Sequence, residues 1–127
     1  MARILLLEDD ATFRDLVSAA LKRAGFEVTN AGDGQAGWDA LDKAQPDLIL
    51  LDLAMPRLDG LSFLRRLRAN EKWGSVPVLV VSANSSAASN AVTLGASGYL
   101  LKSRFSMPEL LETVQQWTVK KRGCSAA

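Results

Sequence analysis

The sequence predicts an α/β domain in which a strand followed by a helix repeats five times around a parallel sheet. Three observations predict it. Four short apolar runs, Ile4–Leu7, Leu48–Leu51, Val78–Val81 and Gly98–Leu101, lack polar–apolar alternation, the mark of strands covered on both faces. Stretches with helical spacing fill the gaps between them. Each run also ends in a polar residue, and a parallel sheet gathers such strand ends along one edge.

The elements follow in order. After Ile4–Leu7, the residues Phe13, Leu16, Val17, Ala20, Leu21 and Ala24 form one helical stripe, and Gly25 is placed to stop it. Glu27–Ala31 is weaker and reads as an edge strand. Gln35–Lys43 is a short second helix, with Asp33 as N-cap and Pro46 beyond its end. Leu48–Leu51 precedes a third helix, Leu61–Arg68, which follows Asp59-Gly60. Val78–Val81 precedes Ser86–Leu94, the weakest helix, because Ser and Asn compete for backbone hydrogen bonds. After Gly98–Leu101, the capping box Ser106-Met107-Pro108-Glu109 opens a last helix. Met107, Leu110, Leu111, Val114 and Trp117 lie along one side of it. Parallel strands joined by helices require right-handed crossovers, with helices on both faces. One domain is expected over residues 1–122, followed by a short flexible tail at 123–127.

Composition excludes several functions. The chain has 127 residues, 48% of them apolar, enough for one core. Lys+Arg number 15 and Asp+Glu 14, a net charge of +1 that gives no general pull towards nucleic acid or anionic membrane. There is no histidine, which excludes a Ser-His-Asp or Cys-His nucleophile, a His-ligated zinc and a His phosphoacceptor within this chain. The single cysteine, Cys124, can form no intrachain disulfide and suits a reducing cytoplasm. No apolar run approaches the ~18 residues of a membrane span, and Ile4–Leu7 is too short for a signal-peptide core. A glycine-rich phosphate loop and a basic stripe for DNA are both missing.

The strand ends carry the chemistry: Glu8-Asp9-Asp10, Asp52, Ser82 and Lys102. Nearly the whole chain separates the first from the last, yet the sheet brings them together. Each pair of carboxylates at ~4 Å costs roughly 4 kcal/mol at an effective dielectric near 20. Their pKa values therefore rise, or cations sit among them. Lys102 supplies one cation. Hard oxygen ligands suit Mg²⁺ for the rest. A carboxylate can also become an aspartyl phosphate, with a lysine and a hydroxyl binding the other phosphoryl oxygens. Taken singly, each residue has a plainer reading. An acidic triplet is also a helix N-terminus, with Asp10 as its cap. An Asp after a strand is also a turn residue, a Ser a cap, a Lys a solvated charge, and Tyr99 a half-buried strand aromatic. The four strand ends in this order are hard to obtain by chance.

These blocks resemble the receiver domain of bacterial two-component response regulators, of the chemotaxis-type single-domain kind. The residues that carry the likeness are Glu8-Asp9-Asp10, Asp52 with Met55-Pro56 and Asp59-Gly60, Ser82-Ala83, Gly95-Ala96-Ser97-Gly98-Tyr99, and Lys102. The resemblance implies a flavodoxin-like, doubly wound (βα)₅ three-layer sandwich with strand order 2-1-3-4-5. It implies that Asp52 accepts a phosphoryl group from a partner sensor histidine kinase or phosphotransfer protein. Asp9, Asp52 and the main-chain carbonyl of Ala54 would ligate Mg²⁺, and Glu8 would act mostly through a metal-bound water. Lys102 would pair with Asp52 and then with the phosphoryl group, Ser82 would donate to it, and Tyr99 would turn inward. The surface of the fourth helix, fifth strand and fifth helix would then change and signal to a downstream protein or a fused output domain. On this reading the chain is a cytoplasmic switch and not an enzyme, with no direct contact to nucleic acid or membrane.

Two departures from the family pattern carry expectations. Ala54 stands where many members have a polar residue, so an in-line water loses a partner and the phosphorylated state should last, with Asn84 in partial compensation. After Lys102, Ser103-Arg104-Phe105 replaces the usual Pro-Phe, so the Lys102–Ser103 bond should be trans, since cis before a non-proline costs about 2.5–4 kcal/mol. Two other classes remain in view. An Asp-nucleophile phosphohydrolase would want a general acid two residues after Asp52, which Ala54 cannot be. An interaction module without phosphate chemistry would not need the intact set of Glu8, Asp9, Asp52, Ser82 and Lys102.

Overall fold

Central strands that are apolar on both faces must be buried on both, which places one sheet between two helical layers. The computed structural model describes residues 2–53, 60–83, 85–102 and 106–126, the side chains of 85, 87 and 119–126 excepted. The order is β1 (Arg3–Leu7), α1 (Ala11–Arg23), β2 (Glu27–Ala31), α2 (Gly34–Ala44), β3 (Leu48–Asp52), α3 (Gly60–Arg68), β4 (Val78–Ser82), α4 (Ser85–Thr93), β5 (Gly98–Leu101) and α5 (Met107–Ala126). All strand pairs are parallel, in the order β2-β1-β3-β4-β5.

The period of two along each strand divides the core in half. Ile4, Leu6, Leu48, Leu50 and Leu79 face one way and pack with Val17 and Leu21 of α1 and Leu110 and Val114 of α5. Leu5, Leu7, Ile49, Leu51, Val78 and Val80 face the other way and pack with Leu41 of α2, Phe63, Leu64 and Leu67 of α3, and Ala91 of α4. Every residue of β3 and β4 is buried. The strand β5 departs from the sequence reading, which has it covered on both faces. Its residues are only partly buried and Tyr99 is 43% exposed. The physical reason is its place at the end of the sheet, where flanking helices overlap it incompletely.

Helix ends follow the sequence closely. Asp10 caps α1 through Thr12 N–H and Phe13 N–H, and Asp33 caps α2 through Ala36 N–H at 2.8 Å. Gly25 has φ +99°, a left-handed conformation that a residue without Cβ adopts at no steric cost. The end of α2 differs: Gln45 takes the left-handed position, φ 44°, with no glycine to mark it. Ser106 Oγ accepts from Glu109 N–H at 3.3 Å at the start of α5. The bounds of α5 take in most of the 123–127 segment.

Candidate functional site

The C-terminal ends of β1, β3, β4 and β5 meet on one edge of the sheet, and the ends of β1 and β3 form its centre. There the strand order reverses, the place where open α/β sheets bind ligands beyond their strand ends. Glu8, one residue past β1, is 1% exposed. Asp52, the last residue of β3, and Ser82, the last of β4, are each 4% exposed. Asp9 is exposed. Glu8, Asp9 and Asp52 each bring an oxygen to within 4.8 Å of the other two.

Lys102 follows β5 directly and reaches back across the edge. Its Nζ lies 2.8 Å from Glu8 Oε1 and 3.5 Å from Asp52 Oδ2. Its own N–H donates to the Ser82 carbonyl at 2.9 Å, which extends the β4–β5 ladder and fixes where the side chain starts. Burial alone would lower the lysine pKa. The hydrogen bond to Glu8 and the charges of Asp52 and Glu8 outweigh that, so the ammonium stands above the ordinary lysine value. Glu8 is held from three sides. Its N–H donates to the Ala31 carbonyl at 3.0 Å, its Oε2 accepts from Asp10 N–H at 3.2 Å, and its carbonyl accepts from Arg14 Nη1 at 2.9 Å.

Gly60 belongs to the site by what it lacks. A Cβ there would come within 2.6 Å of both the Asp52 carbonyl oxygen and Leu53 Cα, so α3 starts against the backbone that carries Asp52 only because the position is glycine. The sequence singled out Glu8, Asp9, Asp52, Ser82 and Lys102, and the fold brings all five to one edge. Tyr99 lies on β5 and is exposed. Ala54, Asn84 and the Lys102–Ser103 bond lie outside the described residues. Two contacts escaped sequence reasoning: Arg14 on the Glu8 carbonyl, and the Phe13 ring, whose centroid is 4.8 Å from Lys102 Nζ. Phe13 reads in sequence only as part of the α1 stripe.

The donor set fits a small hard cation. Three carboxylates face one ammonium, a local excess of negative charge, and all three offer oxygen at short mutual distance. Residues 4–115 match the family of response regulator receiver domains. The chain belongs to that family. Among curated proteins the receiver is 39% identical over 117 residues to the DNA-binding dual master transcriptional regulator RpaA of Synechocystis sp., covering 91% of this chain and 48% of that one. It is 40% identical over 114 residues to a protein-glutamate methylesterase/protein-glutamine glutaminase of Anaeromyxobacter dehalogenans, covering 87% of this chain and 32% of that one. The receiver thus spans between about a third and a half of the length of these relatives. Among solved structures it is similar to the chemotaxis response regulator CheY4 of Vibrio cholerae, with a TM-score of 0.84, 31% identity, and 92% and 98% of the two chains covered. It is also similar to NtrX of Brucella abortus, with a TM-score of 0.88, 27% identity, and 99% and 29% covered. Among the described residues, no helix is long and apolar enough to cross a membrane.

Proposed function

We propose that Asp52 is the phosphoacceptor of this receiver and that its phosphorylation sets the state of a cytoplasmic signalling switch. One observation carries the reading: a buried carboxylate at the end of the central strand, with an ammonium at 3.5 Å and two further carboxylates beside it. The donor is a phosphohistidine on a partner kinase or phosphotransfer protein. An Asp52 carboxylate oxygen forms the bond to phosphorus, the phosphorus–nitrogen bond breaks, and the imidazole leaves with the electron pair and takes a proton.

Each neighbour has a part in this step. Lys102 sits between Glu8 and Asp52 and moves to a phosphoryl oxygen as it arrives. Ser82, at the end of the adjacent strand, donates its hydroxyl to another. Asp9 and Asp52, with Glu8 through water, would hold Mg²⁺; the Ala54 carbonyl expected to complete the set lies outside the described residues. When bound, the ion offsets the negative charge of the carboxylates and the phosphoryl oxygens. Tyr99 and the surface of α4, β5 and α5 report the change to a downstream protein or an attached output domain. The chain itself performs no separate catalysis and contacts neither nucleic acid nor membrane. The two relatives are named for different activities, yet both share this receiver, which supports a regulatory part for it.

Incubation with Mg²⁺ and acetyl phosphate should add one phosphoryl group, labile to hydroxylamine and visible by mass. Asp52→Asn should abolish the addition. Equal labelling of that variant would overturn the assignment.

A further inference from the structure

We propose that Phe13 is a positioning residue for Lys102: its ring face and the Glu8 carboxylate together hold the ammonium beside Asp52. The inference rests on Asp52 as phosphoacceptor and adds how its lysine is kept in place. An ammonium on a four-carbon stem has three donors and many rotamers. Its partners here are unequal. Glu8 Oε1 is at hydrogen-bond distance, 2.8 Å, while Asp52 Oδ2 is looser at 3.5 Å. The Phe13 ring is a third, with its centroid 4.8 Å from Nζ, inside the ~6 Å reach of a cation–π contact.

Phe13 is itself well anchored. Its N–H donates to Asp10 Oδ1 at 3.2 Å, and its side chain packs against the α1–α5 half of the core. Beneath the carboxylates lies a small cavity bordered by Phe13, Leu6, Glu8, Asp52, Val81 and Leu110, in which a water-sized sphere has only ≈ 10 Å³. That is about one water's room. The ring thus borders this cavity together with Glu8 and Asp52, and the Lys102 ammonium lies over its face. The helical stripe asks only for an apolar side chain at position 13, and Leu would satisfy it. An aromatic ring there does something more, and the ammonium is what it faces.

The test uses the full chain in three forms: wild type, Phe13→Leu, and protein carrying pentafluorophenylalanine at position 13. The fluorinated ring keeps nearly the same shape with its quadrupole reversed. The ¹H and ¹³C shifts of the Lys102 ε-methylene are recorded first, without donor, and phosphorylation by acetyl phosphate at saturating Mg²⁺ is timed next. A ring-current shift of the ε-methylene is expected in wild type and lost in Phe13→Leu and in the fluorinated protein. Both should be phosphorylated about three- to tenfold more slowly. Wild-type rates and an unmoved Lys102 shift in the fluorinated protein would overturn the proposal, and that protein decides the matter if Phe13→Leu does not fold. Asp52→Asn run in parallel separates the two readings. Labelling of Asp52→Asn would sink the phosphoacceptor, whereas its loss alongside unaffected position-13 variants would sink Phe13 alone.

Discussion

Two partly buried cations in this domain meet the same electrostatic problem in opposite ways. Arg68, at the end of α3, donates to three main-chain carbonyls: Gly95 at 2.9 Å, Gly74 at 3.1 Å and Val76 at 2.7 Å. It ties the loop before β4 to the loop before β5. Burial lowers its pKa, although a guanidinium stays charged at neutral pH. Lys102 lies instead between two carboxylates, which raise its pKa against the same burial. Fixed dipoles hold the first, and adding a phosphoryl group does not change them. Ionised groups hold the second, and one of them is where the phosphoryl group would go. The contrast teaches that a cation bonded to backbone braces the fold, and a cation bonded to carboxylates can be redirected.

Removing the brace should have the largest effect on stability. Arg68→Met leaves three carbonyls without their donor and should cost about 2–3 kcal/mol in urea unfolding, with or without Mg²⁺. A loss that Mg²⁺ restores would erase the contrast. The acidic site should behave in the reverse sense. Asp9→Asn relieves repulsion and should raise Tm by about 2–4 °C in the absence of divalent ions. It should also lose most of the further rise that Mg²⁺ gives wild type. Equal Mg²⁺ stabilisation of both proteins would remove Asp9 from the metal site. The smallest effect should be alkaline. The folded pKa of Lys102 is raised, so its contribution is complete below the unfolded lysine pKa and fades as pH rises through the folded value. Lys102→Met should flatten the stability loss above about pH 10. An unchanged slope there would show that the ion pairs add nothing.

Much of this was legible because sheet geometry leaves few options. Four apolar runs without alternation, separated by helical stretches, predict a parallel sheet, and the sheet then brings Glu8, Asp52, Ser82 and Lys102 onto one edge. Asp10 and Asp33 announce helix starts because a short carboxylate satisfies free N–H groups. What stayed hidden depends on three-dimensional surroundings. Gln45 turns left-handed without the residue type that marks such turns. Gly98–Leu101 is as apolar as the inner runs, and only its terminal place in the sheet leaves it half covered. Arg68 reads as an ordinary helix-end cation because its acceptors are backbone atoms, which every residue carries. Phe13 reads as core because the ammonium it faces comes from the far end of the chain.

That separation along the chain has a consequence in time. Lys102 leaves the ribosome roughly 90 residues after Glu8, which at about 5–20 residues per second is some 5–20 s later. Through that interval the carboxylates exist without their ammonium, and the sheet that would hold them lacks its last strand. If Asp52 is the phosphoacceptor and Lys102 serves it, as proposed, the ability to be switched arrives in one step, when β5 docks and its lysine reaches the edge.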